Sequence, residues 1–450
     1  MIDFHEIVKF RNDAEQLAEY YLAESFKGRS ITYPINPFQM LVDEGLEFLL
    51  RDFGKLEGVF IPAEDPDDIP IVGININRPI TRQRFTAAHE LCHFLKGAQE
   101  QYCPIGKKNK AEWFADRFAS ALLMPLPELK EQVKQRIKDD YVNFDDILEI
   151  ADFFGVSFES CAIRVNYCTH TLQGNTELKE LRKQIKKYKP EAHRKLRGFH
   201  YVVLFEQLID NYKHGLSLPS NAYASYVFQN NYIYNDSRME GVDIEQEAAA
   251  EIVSDLRLKM QNSQYCKEEN EAFLSVAGHS EMYSSIFEMP MKNSCSVFDI
   301  MTLHNKLYSF YPYPEYGGKF RVDNTMVLGA KIEPIPPNQI VTELLVLDQQ
   351  LHLVFERRKE IKISEFIKES IIIHHKLTVI HPFPDGNGRV IRAFLNLMMV
   401  RNNLTPVYVK VEDKQKYIDA LLLADKENDY SALLEFFYFS IIRASVELSR

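Results

Sequence analysis

Two groups of residues in this chain have types and spacings suited to chemistry. The first is the run His381 to Arg392, HPFPDGNGRVIR. Pro382, Pro384, Gly386 and Gly388 forbid regular structure there, while Ile391, Phe394, Leu395, Met398 and Met399 return to helical spacing. Upstream, Ile371 to Ile380 reads as a buried helix ending near His381. A loop therefore feeds the start of a buried helix, where unpaired N–H groups favour an anion such as phosphate. Asn387 can donate a side-chain N–H, and Arg389 and Arg392 share the first turn as fork-shaped phosphate binders. Asp385 would repel a phosphate, a conflict that a bridging Mg2+ resolves. His381, with an ordinary pKa near ~6.5, can take a proton from an attacking hydroxyl.

The second group lies in TAAHELCHFL. His89 and His93 stand one helical turn apart on one face, so both imidazoles can meet one metal ion, and Glu90 projects where it can activate a water. A catalytic zinc wants a third protein ligand. The helix expected from Ala111, AEWFADRFASALLMP, offers Glu112 as that ligand and Asp116 as the acceptor for a ligand imidazole's second nitrogen. Glu100 and His170 are the rival third ligands.

The first segment resembles the Fic family, whose motif HxFx(D/E)GNGRxxR is met at His381, Phe383, Asp385, Gly386, Asn387, Gly388, Arg389 and Arg392. The resemblance implies transfer of AMP from ATP to a side-chain hydroxyl (Ser, Thr or Tyr) of a target protein. His381 would be the general base and Asp385 the Mg2+ ligand. Gly386, Asn387, Gly388 and Arg389 would surround the α- and β-phosphates, with Arg392 toward the γ-phosphate. Relatives that transfer phosphate tend to carry Lys where Gly388 stands, so Gly388 favours nucleotide transfer. Further upstream, NDSRMEGVDI resembles the family's inhibitory helix, (S/T)xxxE(G/N), with Glu240 and Gly241 matching but Asp236 in the Ser/Thr place. That resemblance implies that Glu240 pairs with Arg392 and withholds it from ATP. Leu303 to Arg321 is similar to the segment before the family's β-hairpin flap, for which Thr325 to Ile332 is the candidate. His374 falls where the family commonly has a histidine and reads as a satisfied core residue.

RPITRQRFTAAHELCHFLKG and EWFADRFASALLMP are similar to the ImmA/IrrE family of metallopeptidases. This implies a zinc-dependent endopeptidase with a protein substrate. Family members often carry Gly at the position of Cys92, which lies off the histidine face and reads as packing.

The elements that must position these groups follow the changing periodicity. Helices are expected over Phe10–Phe26 and Met40–Leu50. Short strands are expected over Leu56–Ile61 and Ile71–Ile76, then helices over Arg82–Lys96 and from Ala111. Asp145 to Val165 reads as two helices parted by Gly155, the second capped by Ser157. From there the chain is almost wholly helical in period. The expected architecture is mainly α: a zincin-like α+β domain with a small sheet over residues 1–172, a charged linker helix over 173–197, and an all-α Fic domain with its flap over 198–450. At 450 residues two or three domains are expected, and 46% hydrophobic with 26% charged residues fits a folded chain. The net charge of -11 argues against nucleic acid as partner. Six cysteines without a CxxC pair read as reduced thiols. No run approaches the ~18 apolar residues of a spanning helix, so a soluble, cytoplasmic protein with no membrane partner is expected. Two alternatives stand beside this reading: one or both domains act as a non-catalytic sensor or binding module, or the transferred group is UMP or phosphocholine.

Overall fold

A computed structural model of the chain describes residues 8, 11–65, 67–98, 101–104, 109–174, 177–218, 222–257, 271–288, 294–311, 316–326 and 333–448. The contacts divide it into two compact units, Met1–Tyr212 and Lys213–Arg450. The division falls after Tyr212 rather than near Gly198.

In the first unit α1 (Ala14–Ser25) is capped by Asp13, whose carboxylate accepts the Gln16 N–H at 2.9 Å. α2 (Pro37–Asp43) is shorter than its apolar spacing suggests, because Gly45 turns the chain at φ 78° and Glu47–Arg51 continues as strand β1. The expected helix to Leu50 is thus corrected to a helix and a strand. β2 (Leu56–Ile61) and β3 (Ile71–Asn75) follow, then α3 (Ile80–Leu95), β4 (Gln101–Pro104) and α4 (Lys110–Leu123). The sheet has the order β1-β3-β2-β4, with β1 parallel to β3 and the other pairs antiparallel. α3 lies on this sheet so closely that a methyl group on Gly58 of β2 would come within 2.4 Å of Thr86 Cγ2 and 2.8 Å of Glu90 Oε1. α4 packs in turn on α3 and α1.

The unit is completed by α5 (Leu126–Lys134), α6 (Phe144–Phe154), α7 (Phe158–Thr169), α8 (Leu178–Tyr188), α9 (Pro190–Leu196) and α10 (Val202–Asn211). Asn143 and Asp146 form a reciprocal cap on α6, Gly155 ends it at φ 64°, and Ser157 caps α7. The charged α8 buries Leu181 and Ile185. Arg84 of α3 is fully buried without a carboxylate. Its guanidinium donates to the carbonyls of Ile35 at 2.6 Å and Gly155 at 3.0 Å and to Gln207 Oε1, which ties α3 to the chain before α2, the end of α6, and α10. Burial lowers its pKa to about 9.

The described part of the second unit is helical: α11 (Lys213–Leu216), α12 (Ala222–Met239), α13 (Gln246–Arg257), α14 (Glu271–Glu288), α15 (Asp299–Leu307), α16 (Ile340–Arg357), α17 (Ile363–Ile380), α18 (Asn387–Arg401), α19 (Lys414–Glu427) and α20 (Ser431–Leu448). α18 is the axis of this unit: every residue from Arg389 to Arg401 is buried, and α14, α15 and α17 pack on it. Such all-round burial follows from its sequence, in which small and apolar residues interrupt the three arginines. The flap candidate, beyond Met326, lies outside the described residues, as does Glu100. No helix among the described residues is long and apolar enough to cross a membrane.

Candidate functional sites

α3 and α4 bring His89, His93 and Glu112 together with all three side chains buried. The two Nε2 atoms lie 3.1 Å apart. Glu112 places Oε2 3.3 Å from His89 Nε2 and Oε1 3.2 Å from His93 Nε2. A tetrahedral zinc with bonds of ~2.0–2.1 Å sets its ligand atoms ~3.3–3.4 Å apart, and the nitrogen pair and each nitrogen's Glu112 oxygen stand within a few tenths of an ångström of that spacing. Glu112 Oε1 is buried yet accepts no well-directed hydrogen bond, as expected of a lone pair aimed at a shared centre. Asp116, one turn along α4, holds His89 Nδ1 at 3.0 Å and so leaves Nε2 as the ligating nitrogen. Burial opposes a charge on His89, but the bonds to Asp116 and Glu112 outweigh it and push its pKa up to about 9. Burial raises the Glu112 pKa, and the two imidazoles more than reverse this, holding it well below the usual carboxylate range. Glu90 is fully buried against Gly58 of β2. Burial keeps the Cys92 thiol protonated. His170 ends α7 and is not part of the cluster.

In the second unit the loop from His381 to Gly386 joins α17 to α18. Both ends use left-handed backbone, His381 at φ 49° and Gly386 at φ 73°. No side chain caps α18, which leaves its first N–H groups for a ligand. Asn387 does not reach outward as the sequence suggested. Its Oδ1 accepts the Phe383 N–H at 2.9 Å and its Nδ2 donates to the Phe383 carbonyl at 2.7 Å, so both ends of the amide brace the loop itself.

Three further residues hold this loop, none recognisable from local spacing. Arg321 donates from Nε to the His381 carbonyl at 2.7 Å and from its Nη atoms to Asp323, Ile335 and Ile380 carbonyls, and its own N–H meets the Pro382 carbonyl at 2.9 Å. His304 accepts the Gly318 N–H on Nδ1 at 2.8 Å, so its proton sits on Nε2 and is donated to the Asp385 carbonyl at 3.1 Å. Burial lowers its pKa to about 4, and its neutral ring stacks on Phe383 at 4.0 Å. Tyr308 donates to Asp385 Oδ2 at 2.7 Å, and Arg389 reaches the same oxygen at 3.0 Å. Burial works against the Asp385 charge, but Tyr308 and Arg389 bring its pKa below the ordinary value. The side chain is 67% exposed, so the carboxylate is still reached from solvent. Arg389 Nε is buried and unbonded among the described residues, a donor left for an anion. Burial lowers the His381 pKa below its ordinary value, which favours the neutral imidazole. His374 bridges the Ile391 carbonyl and the Tyr417 hydroxyl, a satisfied core histidine.

Arg392 is buried and faces two carboxylates. Its Nε donates to Asp236 Oδ1 and its Nη2 to Glu240 Oε1, the latter at 2.5 Å. The pair lies directly over Gly388, where a methyl group would meet Arg392 Nη1 at 2.9 Å and Glu240 Oε1 at 3.0 Å. A carboxylate thus sits over the first turn of α18, where an anion would bind.

These two arrangements give the chain a unit with a metallopeptidase-like histidine cluster and a helical unit built around the loop before α18. Residues 43–166 match the family model of the IrrE N-terminal-like domain (Peptidase M78), and residues 294–399 match that of the Fic/DOC family. Each match spans less than half of the chain, so the likeness to each family holds over those residues. Similar curated proteins include a probable protein adenylyltransferase of Aquifex aeolicus, 33% identical over 127 residues, 28% of this chain and 36% of that protein. Protein adenylyltransferase fic-1 of Caenorhabditis elegans is 30% identical over 130 residues, 29% of this chain and 24% of that protein. The Drosophila melanogaster protein adenylyltransferase Fic is 32% identical over 148 residues, 32% and 28% of the respective chains. The chain thus spans between 24% and 36% of the length of these relatives. Among solved structures, Fic-1 of C. elegans aligns with a TM-score of 0.43 and 19% identity over 72% of this chain and 91% of that one. A Fic-domain signaling protein of Bacteroides thetaiotaomicron also gives 0.43 and 19%, over 50% and 88%.

Proposed function

We propose that the second unit is a protein adenylyltransferase. The target's hydroxyl oxygen attacks the α-phosphorus of ATP, pyrophosphate leaves, and the hydroxyl proton passes to the free ring nitrogen of His381. The observation that carries this reading is the single turn that holds a neutral imidazole, an ionised Asp385 and an uncapped helix start with an unbonded Arg389 donor. The N–H groups of Gly388 and its neighbours, with Arg389, would hold the α- and β-phosphates, and Arg392 the γ-phosphate. Asp385 would hold Mg2+, which when bound neutralises the charge of the leaving pyrophosphate. Relatives named protein adenylyltransferase support the choice of cargo.

In this reading Glu240 restrains the enzyme, since its carboxylate occupies the seat over Gly388 and engages Arg392. A charge-assisted bond contributes about 1.5–3 kcal/mol, so releasing it strengthens ATP binding roughly ten- to a hundredfold. The test uses ATP labelled on the α-phosphate. Glu240→Gly should raise incorporation into protein, His381→Ala in that background should abolish it, and UTP or CDP-choline should not compete. Incorporation that survives His381→Ala, or label transferred only from the γ-phosphate, would refute the reading.

The first unit reads as a zinc-dependent endopeptidase, supported by the converging His89, His93 and Glu112 and by the fully buried Glu90 beside them. Zinc, when bound, supplies a Lewis acid that polarises a water and the scissile carbonyl. Glu90 would take the proton from that water and pass it to the leaving amine. Zinc content lost on His89→Ala, with proteolysis lost and zinc kept on Glu90→Gln, is the expected pattern. Proteolysis that persists in Glu90→Gln would overturn it.

A further inference from the structure

The two carboxylates on Arg392 are not equivalent. Glu240 follows the last turn of α12, next to Gly241 at φ 88°, and its side chain is 32% exposed. Asp236, one turn earlier, is buried, and its second oxygen is bound as well: His279 Nε2 of α14 lies 3.0 Å from Oδ2. The other nitrogen of His279 lies 2.9 Å from the Ser275 carbonyl. Both ring nitrogens of His279 are therefore engaged, one by a carbonyl of its own helix and one by the Asp236 carboxylate, which fixes the ring between them. Burial works against the Asp236 charge, yet Arg392 and His279 bring its pKa below the ordinary value, so the carboxylate is ionised.

Tyr232 and Tyr283 wall this group in, stacked 4.3 Å apart and fully buried. Gly278, next to His279, brings α14 against the end of α15, since a methyl group there would come within 2.0 Å of the Leu307 carbonyl. His279 is therefore fixed by packing as well as by hydrogen bonds. Asp236 cannot swing away without leaving the buried Arg392 Nε and His279 Nε2 without their partner, whereas Glu240 can turn into solvent.

The two carboxylates hold different edges of Arg392: Asp236 the Nε edge and Glu240 the Nη2 atom. When Glu240 leaves, Nη2 is freed while the Nε edge is still gripped. We infer that Asp236 and His279 are positioning residues that aim the Arg392 guanidinium at the outermost phosphate of a nucleoside triphosphate, leaving Glu240 as the removable restraint. In this chain the Asp in the Ser/Thr place thus supports binding and does not add to the block. The inference rests on the nucleotide reading above.

The experiment is calorimetric titration of the full chain with Mg-ATP and Mg-ADP. It compares Glu240→Gly with the same protein carrying Asp236→Asn or His279→Gln, and melting temperatures are recorded alongside. The expected result is a roughly tenfold loss of ATP affinity in both double variants with ADP affinity unchanged, because Arg392 meets only the third phosphate. A purely structural role would weaken both nucleotides together and would overturn the inference. Tighter ATP binding in Asp236→Asn would also overturn it, making Asp236 a second inhibitory carboxylate. Glu240→Gly binding neither nucleotide would sink the nucleotide reading itself, an outcome distinct from the other two.

Discussion

Removing the Asp116 carboxylate tests whether the histidine pair is a built metal site. Asp116 Oδ1 lies 3.0 Å from His89 Nδ1, a contact that keeps the Nε2 lone pair turned toward His93 and Glu112. The two imidazole nitrogens already stand 3.1 Å apart, and each has a Glu112 oxygen at 3.2 or 3.3 Å, so little reorganisation is left for zinc to impose. With Asp116→Ala the ring is free to rotate and to exchange tautomers, and part of that preorganisation is lost. Loss of such a partner costs about 10–100-fold in metal affinity, or about 1.4–2.8 kcal/mol. Asp116→Asn keeps a carbonyl acceptor without its charge and should fall at the weak end of that range. Competition with a fluorescent zinc chelator at fixed neutral pH measures the order: wild type, then Asp116→Asn, then Asp116→Ala, with His89→Ala lowest. Equal zinc affinity in wild type and Asp116→Ala would refute the reasoning, as would a wild-type protein that takes up no zinc.

Other perturbations probe the two sites separately. Gly58→Ala would drive a methyl group to 2.8 Å from Glu90 Oε1 and 2.9 Å from the Gly73 carbonyl, so thermal unfolding should show a loss of about 1–3 kcal/mol while zinc is still bound. An unchanged melting temperature would mean that strand and helix are not in contact there. Arg321→Lys replaces a fork that serves four carbonyls with a single ammonium, and α-phosphate labelling by the Glu240→Gly protein should fall at least about tenfold with zinc content unaltered. Labelling equal to the parent would remove Arg321 as a support of the loop. The lowered His381 pKa keeps the imidazole neutral below the ordinary value, so labelling should persist as the pH falls through about 6.5. The unfolded chain takes up this proton first, so the same shift costs stability as the pH falls through the unfolded pKa. A rate that drops with a midpoint above the ordinary value would contradict the assignment of His381 as base.

What the sequence disclosed was whatever local spacing encodes. His89 and His93 share a helix face by their interval, and Glu112 and Asp116 repeat it on the next helix, so four members of the first cluster were legible in order. The loop was legible because Pro382, Pro384, Gly386 and Gly388 have few backbone options. Arg321, His304 and Tyr308 were not, because each reaches the loop across 60 to 81 residues and no periodicity marks such a pairing. His279 was hidden in the same way, since its partner Asp236 stands 43 residues away. The helix read over Met40–Leu50 failed at Gly45, where one left-handed residue let a β-bridged strand win over helical spacing. Asn387 carried the residue type of a phosphate donor, but the loop's own backbone claimed both ends of its amide.

Glu240 belongs to the same polypeptide as the seat it fills. A tethered competitor does not dilute: its effective concentration stays on the order of millimolar however much protein the cell makes. In the proposed reading ATP would have to outcompete a rival of constant strength, so the fraction of open molecules would follow the nucleotide level and not the abundance of the enzyme. A partner that pulled α12 aside by a single turn would shift that balance without touching the phosphate loop.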